Sequence, residues 1–158
     1  AHDAPTLENK KMHIDLNKCV GCGRCIGVCP MDAIEAAQDE NNTILNCKMA
    51  EYTKAIVQGR PAFHISMVMD VSPVCDCYGV NDVPVIGDVG MFASFDPVAL
   101  DKACADACDR MPRRADAPIE GSSPDLFQAL HPSTDPYSQL THGKKIGLGT
   151  DEYDLIEI

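Results

Sequence analysis

The chemistry of this chain is concentrated in four cysteines within eleven residues, in the run Cys19-Val20-Gly21-Cys22-Gly23-Arg24-Cys25-Ile26-Gly27-Val28-Cys29-Pro30. The spacing C-x2-C-x2-C-x3-C-P is one that grips an iron-sulfur cubane. Two-residue spacers let successive sulfurs reach different irons, and Gly21, Gly23 and Gly27 permit the unusual dihedrals and close backbone approach that this requires. Inward-pointing N–H groups would donate to sulfur and stabilise its negative charge. Zinc is the simpler alternative, but tetrahedral zinc sites usually pair two separated Cys-x-x-Cys knuckles rather than one run followed by Pro. The expectation is a 4Fe-4S cluster held by Cys19, Cys22, Cys25 and Cys29. The fourth ligand stays open: Cys29 closes the same cluster, or a distant cysteine does so while Cys29 serves a second site, or a partner run lies upstream in a longer parent chain.

Nine cysteines is an odd number, so full disulfide pairing cannot account for them. Cys75-Asp76-Cys77 follows a strand in a loop, and two thiolates so close can lean on one metal, with Cys47, His64, Asp70 and Asp82 as candidate companions. The plainer reading is a pair of partly buried loop thiols. Cys104 and Cys108, four apart among alanines, read as small buried hydrophobes. Cys47 is placed at a helix start, where the dipole would favour its thiolate, although a lone exposed thiol is the blander outcome. None of the five histidines pairs with a Ser or Cys in a catalytic pattern.

The elements that must position these groups are short. Met12, Ile14 and Leu16 alternate in a strand, and Pro30 opens a single helical turn after Cys29. A helix of about three turns starts near Asn46, with Met49, Tyr52, Ala55 and Ile56 at helical spacing and Gly59 as its stop. Phe63 to Val71 is a strand; Phe63, Ile65, Met67, Met69 and Val71 share one face, and the Met67/Met69 alternation reads as core packing. Short strands follow at Val83–Ile86 and Val89–Ala93. Asp96-Pro97 caps a helix lined by Leu100, Cys104, Ala107, Cys108 and Met111 and ended by Pro112. The stretch from Pro112 to Pro136 is a wrapped loop with a short helix near Asp125–Leu130. A helix from Asp135-Pro136 to Gly143 and a strand Tyr153–Ile158 complete the chain.

The fold expected is α+β: a ferredoxin-like 4Fe-4S segment, residues 1–45, packed on a small mixed core, residues 46–158, with a Pro-rich C-terminal wrap. The 158 residues leave no room for two full-sized domains. With 24 acidic against 13 basic residues the formal charge is -11, which repels nucleic acid and anionic membranes. No apolar run approaches a membrane span, and Ala1-His2-Asp3-Ala4-Pro5 lacks a signal-peptide pattern, so a soluble cytoplasmic protein is expected. The first residue is not Met, which admits processing or a longer parent chain.

Beyond the cysteine run, Met49-Ala50-Glu51-Tyr52, Asp70-Val71-Ser72-Pro73-Val74-Cys75-Asp76-Cys77, Ala93-Ser94-Phe95-Asp96-Pro97-Val98-Ala99-Leu100-Asp101 and Ile146-Gly147-Leu148-Gly149 resemble the iron-sulfur proteins grouped as domain of unknown function 362. Members of that family are usually longer, commonly with a second ferredoxin run ahead of the one seen here. The resemblance implies 4Fe-4S binding and anaerobic redox metabolism, and supplies no reaction. The leading expectation is an electron-transfer module whose acidic surface docks a basic redox protein, with no defined small-molecule substrate. The competing expectations are a domain of a redox enzyme with a second metal or thiol site at Cys75/Cys77, and a cluster that staples the fold within a larger complex.

Overall fold

The structure, a computed structural model, describes residues 2–31, 33–34, 42–74, 81–119 and 123–158. It is mixed α/β, with two small antiparallel sheets and five helices among the described residues. The chain divides into two compact units, Ala1–Asp39 and Glu40–Ile158. Among the described residues no helix is long and apolar enough to cross a membrane.

The first unit opens on a hairpin of β1 (Pro5–Glu8) and β2 (Lys11–Ile14), in register from Pro5↔Ile14 to Glu8↔Lys11. Asn9 and Lys10 take φ of 51° and 64°, the two left-handed residues of the turn that matches strand twist. Strand β2 agrees with the alternation in the sequence. Its partner β1 carries no strand signal in the sequence, because the turn lacks the usual glycine. A single-turn helix α1 spans Arg24–Gly27. The helical turn predicted after Pro30 is absent: Pro30, Met31, Ala33 and Ile34 are not helical, and the turn forms one cysteine earlier, where Gly23 supplies its left-handed N-cap.

In the second unit, α2 (Asn42–Val57) starts four residues ahead of the prediction, which puts Cys47 in the second turn and removes the dipole argument for its thiolate. Gly59, at φ 72°, follows its end. The helix packs on α5 (Ser138–Lys145) through polar groups. Asn46 Nδ2 donates to Asp135 O and Ser138 Oγ at 3.1 and 2.9 Å, Lys54 Nζ donates to Ile146 O, and His142 Nε2 meets Glu51 Oε1 at 2.9 Å. The apolar positions Met49, Tyr52 and Ile56 are exposed rather than packed. Helix α5 runs past Gly143, where a Cβ would stand 3.0 Å from Val98 Cγ2; the left-handed residue that follows the helix is Gly147.

Strand β3 (His64–Val68) pairs antiparallel with β4 (Gly90–Ser94) in the register His64↔Ser94 to Val68↔Gly90. One face lies on α3 (Pro97–Arg110). That face carries His64, Ser66, Val68 and Phe92, while Phe63, Ile65, Met67 and Met69 are exposed. The predicted orientation is therefore inverted. Val68 and Phe92 join the hydrophobic cluster of Val85, Ile86, Cys108 and Leu126, while Ser66 bonds Cys104 of α3 and His64 stands near the charge of Asp101. Pairing register follows whichever face is satisfied, not the larger apolar count.

Residues 83–86 form no strand: Ile86 makes one isolated bridge to Arg113, although Val85 and Ile86 are fully buried. Helix α3 begins as predicted, with Asp96 Oδ1 accepting from the N–H groups of Val98 and Ala99 at 2.9 and 3.0 Å. Asp125 likewise caps α4 (Leu126–Leu130), accepting from Gln128 N at 2.7 Å. Tyr153–Ile158 is not a strand; its Leu155, Ile156 and Ile158 are exposed and have no neighbour strand to pair with among the described residues.

Candidate functional site

In the first unit the backbone delivers the cysteines through local hydrogen bonds. Asp15 organises the approach: its Oδ1 accepts from Asn17 N at 3.0 Å and its carbonyl from Lys18 N and Cys19 N at 3.1 and 2.9 Å. Gly21 and Gly23, at φ 68° and 67°, turn the chain on either side of Cys22 in a region that costs side-chain-bearing residues energy. Cys25 then rides on α1, and Cys29 N donates to Ile26 O at 3.2 Å. The chain folds back beyond Cys29, so that Ala33 N donates to Cys29 Sγ at 3.4 Å. Cys19 and Cys22 are exposed, Cys25 and Cys29 half-buried, and all four are free thiols.

The donor set, four free thiols in one short run, is of the kind that holds an iron-sulfur group. Four thiols stand on one short segment, and a Cβ at Gly21, Gly23 or Gly27 would meet no atom within 4 Å. The structure brings the four onto one segment and not onto one point: among the described residues no three Cys, His, Asp or Glu side chains converge as a metal-binding group.

Cys75 and Cys77 lie outside the described residues. The loop base around them is described. Asn81 Nδ2 donates to Ser72 Oγ and Val74 O, both at 3.0 Å, and Asn81 Oδ1 accepts from Val74 N at 3.3 Å. Of the candidate companions, Cys47 sits half-buried on α2 and His64 faces α3. Asp70, at φ 48°, bonds Asp88 through its backbone N–H, and Asp82 bonds Val83 N at 2.7 Å.

A second group of titratable side chains gathers between β3 and α3. Asp101, Cys104 and Cys108 recur at i, i+3 and i+7, so they share one face of α3 and line a cavity of about 510 Å³ beside β3. Burial pushes the Asp101 carboxyl above the ordinary Asp range, with the charge of His64 pulling partly back. Burial likewise raises Cys104, which hydrogen-bonds Ser66, and pushes Cys108 up to about 11, with Cys104 and Asp109 adding to the effect. His64 Nε2 is buried with no partner among the described residues. Cys108 is the buried thiol expected of it, and Cys104 is half-buried beside it. The sequence alone does not mark the neighbouring Asp101 and His64 as a pair. The helical spacing of Asp101 with the two cysteines was a readable signal, whereas His64 was hidden by the inverted face of β3.

Asp96 uses its second oxygen, Oδ2, to accept from Thr150 N at 2.8 Å, and a Cβ at Gly149 would overlap the same carboxylate. Asp96 therefore fixes both the start of α3 and the segment after α5.

A family model described as domain of unknown function (DUF362) matches residues 4–106, from the edge of β1 through most of α3, and so takes in the cysteine run, the β3–β4 pair and Asp96. No curated protein and no solved structure matches the chain. With almost two thirds of its length inside that match, the chain belongs to the DUF362 family of domains of unknown function.

Proposed function

We propose that Cys19, Cys22, Cys25 and Cys29 hold a 4Fe-4S cluster and that the protein serves in electron transfer to a redox partner. The observation that carries this reading is the pair of left-handed turns at Gly21 and Gly23, which reverse the backbone around Cys22 in a run already spaced for a cubane. When bound, such a cluster accepts and releases one electron. The chain's own contribution is to hold and tune. Ala33 N–H donates to Cys29 Sγ, and donation of this kind stabilises charge on a ligand sulfur. The exposure of Cys19 and Cys22 leaves that side of the run open to a docking surface. A formal charge of -11 favours a basic partner and a salt-sensitive encounter.

Anaerobic reconstitution tests the reading. The expected result is about four irons and four sulfides per chain, reversible bleaching by dithionite, and loss of the iron in Cys22→Ser. Reversible reduction without unfolding separates electron transfer from a cluster that only staples the segment. Protein that stays colourless and iron-free after reconstitution sinks the proposal.

A further inference from the structure

The cavity beside β3 has a shape that neither the cysteine run nor the family assignment explains. Its wall includes three consecutive strand residues, Ser66, Met67 and Val68, with Met69 just beyond the strand, and no residue of β4. Successive strand side chains point to opposite faces, so three in a row can border one cavity only along a strand edge. Among the described residues β3 pairs with β4 alone, which leaves this second edge without a strand partner. The floor is α3, through Asp101, Cys104 and Cys108; the far wall is Phe127, Tyr137 and Leu140. The cavity is a groove that runs along an open edge for three strand residues, about 10 Å at the rise of a strand.

We propose that this groove takes an extended segment of another polypeptide, which adds to β3 as a third strand. An unpaired strand edge offers alternating N–H and C=O groups, and the ligand that satisfies such a row is another backbone. The groove also defines the side chains it would accept. On the α3 side the floor is small and resists charge: Ser66 is compact, and burial holds Asp101, Cys104 and Cys108 towards their neutral forms. Small uncharged residues belong there.

On the other side the added strand would continue a bare apolar surface. Ile65 and Ala93, and Met67 and Met91, are cross-strand neighbours on that face, and the rings of Phe63 and Phe95 meet edge-on at 4.9 Å. Five of these side chains are largely exposed: Phe63 55%, Ile65 58%, Met67 66%, Met91 71% and Phe95 80%. A contiguous patch of this kind marks an interaction surface, and a two-stranded sheet is marginal without more strands. Large apolar residues therefore suit the outward positions.

Charge selects the flanks. No Lys or Arg lines the groove, and Asp70 and Asp135 each lie between two residues that do. With the overall charge of -11, this favours a strand with basic ends. A second copy is a poor occupant, since it carries the same charge and its own β3 edge is recessed behind the same walls.

The probe is the acetylated, amidated peptide Lys-Val-Thr-Val-Thr-Val-Lys, titrated into the full chain with amide hydrogen exchange as the readout. The expected result is saturable binding with slowed exchange within residues 64–69. Two further peptides carry N-methyl groups on the Thr amides or on the Val amides, which blocks one edge of the peptide at a time. One of them should bind at least about tenfold more weakly and the other within about twofold of the parent, since the backbone bonds to β3 are lost on one edge only. Because this series leaves the protein unaltered, it stands even if a groove-filling variant such as Ala105→Trp misfolds. Equal binding of all three peptides, protection away from β3, no binding at millimolar peptide, or a dimer whose β3 amides are already protected would each overturn the proposal.

Discussion

Cys22 and Cys108 are the same residue in opposite surroundings, and the two units differ in the same way. Among the described residues of the first unit Ala4 alone is buried, while Leu7, Met12, Val20 and Val28 stand exposed. Its shape comes from a hairpin, the Asp15 turn and glycines at positive φ. The second unit has a core around Val68, Val85, Ile86, Cys108 and Leu126. It buries the Cys108 thiol, and desolvation there and around Asp101 raises both groups above their ordinary values. Packing silences cysteine chemistry, and a segment without packing leaves its thiols free to bind. Such a segment needs something other than a core to hold it, and a metal group can supply that folding energy.

The strongest way to break this contrast rests on the proposed cluster: compare amide exchange in reconstituted protein before and after iron is removed by a chelator. Amides of residues 15–29 should lose protection by about 100-fold or more, whereas those of α3 should change by less than about twofold. Equal loss in both units would mean that the second unit's core does not stand on its own.

A smaller effect is expected at the Asp96 clasp, which belongs to the packed unit alone. Asp96→Ala removes the acceptor for Val98 N, Ala99 N and Thr150 N and should cost about 1–2 kcal/mol in urea unfolding. Gly149→Ala drives a methyl into the same carboxylate and should cost a similar amount. In combination the two should be less than additive, because the clash disappears with the carboxylate. Iron content should be unchanged in all three variants. Additive costs would remove Asp96 as the group that Gly149 makes room for.

How legible these features were depended on whether the cause was local. The Asp96-Pro97 cap, the Asp125 cap, β2 and the burial of Cys108 followed from a few neighbouring residues. The face of β3 did not, because its alternation is ambiguous without α3: His64 and Ser66 turn inward to meet Asp101 and Cys104, against a row of larger apolar residues on the other side. Helix α2 was found, but its packed side was misjudged, since Asn46, Glu51 and Lys54 bind the partner segment through polar atoms. Val85 and Ile86 are apolar because they are core, not because they are strand. At the cysteine run the spacing was visible in the sequence. The N–H of Ala33 on Cys29 Sγ was not, since it requires the chain to fold back after Pro30.

Thiol reactivity sharpens the contrast residue by residue. In iron-free protein at pH 8, iodoacetamide should modify the exposed Cys19 and Cys22 at least about tenfold faster than Cys108, read by mass spectrometry of the peptides. Cys108 is buried, and with its thiol near 11 only about one molecule in a thousand is thiolate at that pH. Comparable rates would show that α3 opens to solvent far more readily than its packing implies.

The smallest effect is the pH dependence contributed by Asp101. Its carboxyl is raised in the folded protein by burial, opposed in part by His64, so the folded state holds this proton more tightly than the unfolded chain does. The sign follows: the stabilisation is fully present below the ordinary Asp pKa near 4 and is lost as pH rises through the higher folded value. Asp101→Asn keeps the neutral shape and removes the titration. Urea midpoints for this variant should fall less between pH 4 and neutrality than those of the parent. If the two proteins lost stability in parallel over that range, the β3–α3 interface would be accommodating a charge, and the uncharged floor assigned to the groove would have to be given up.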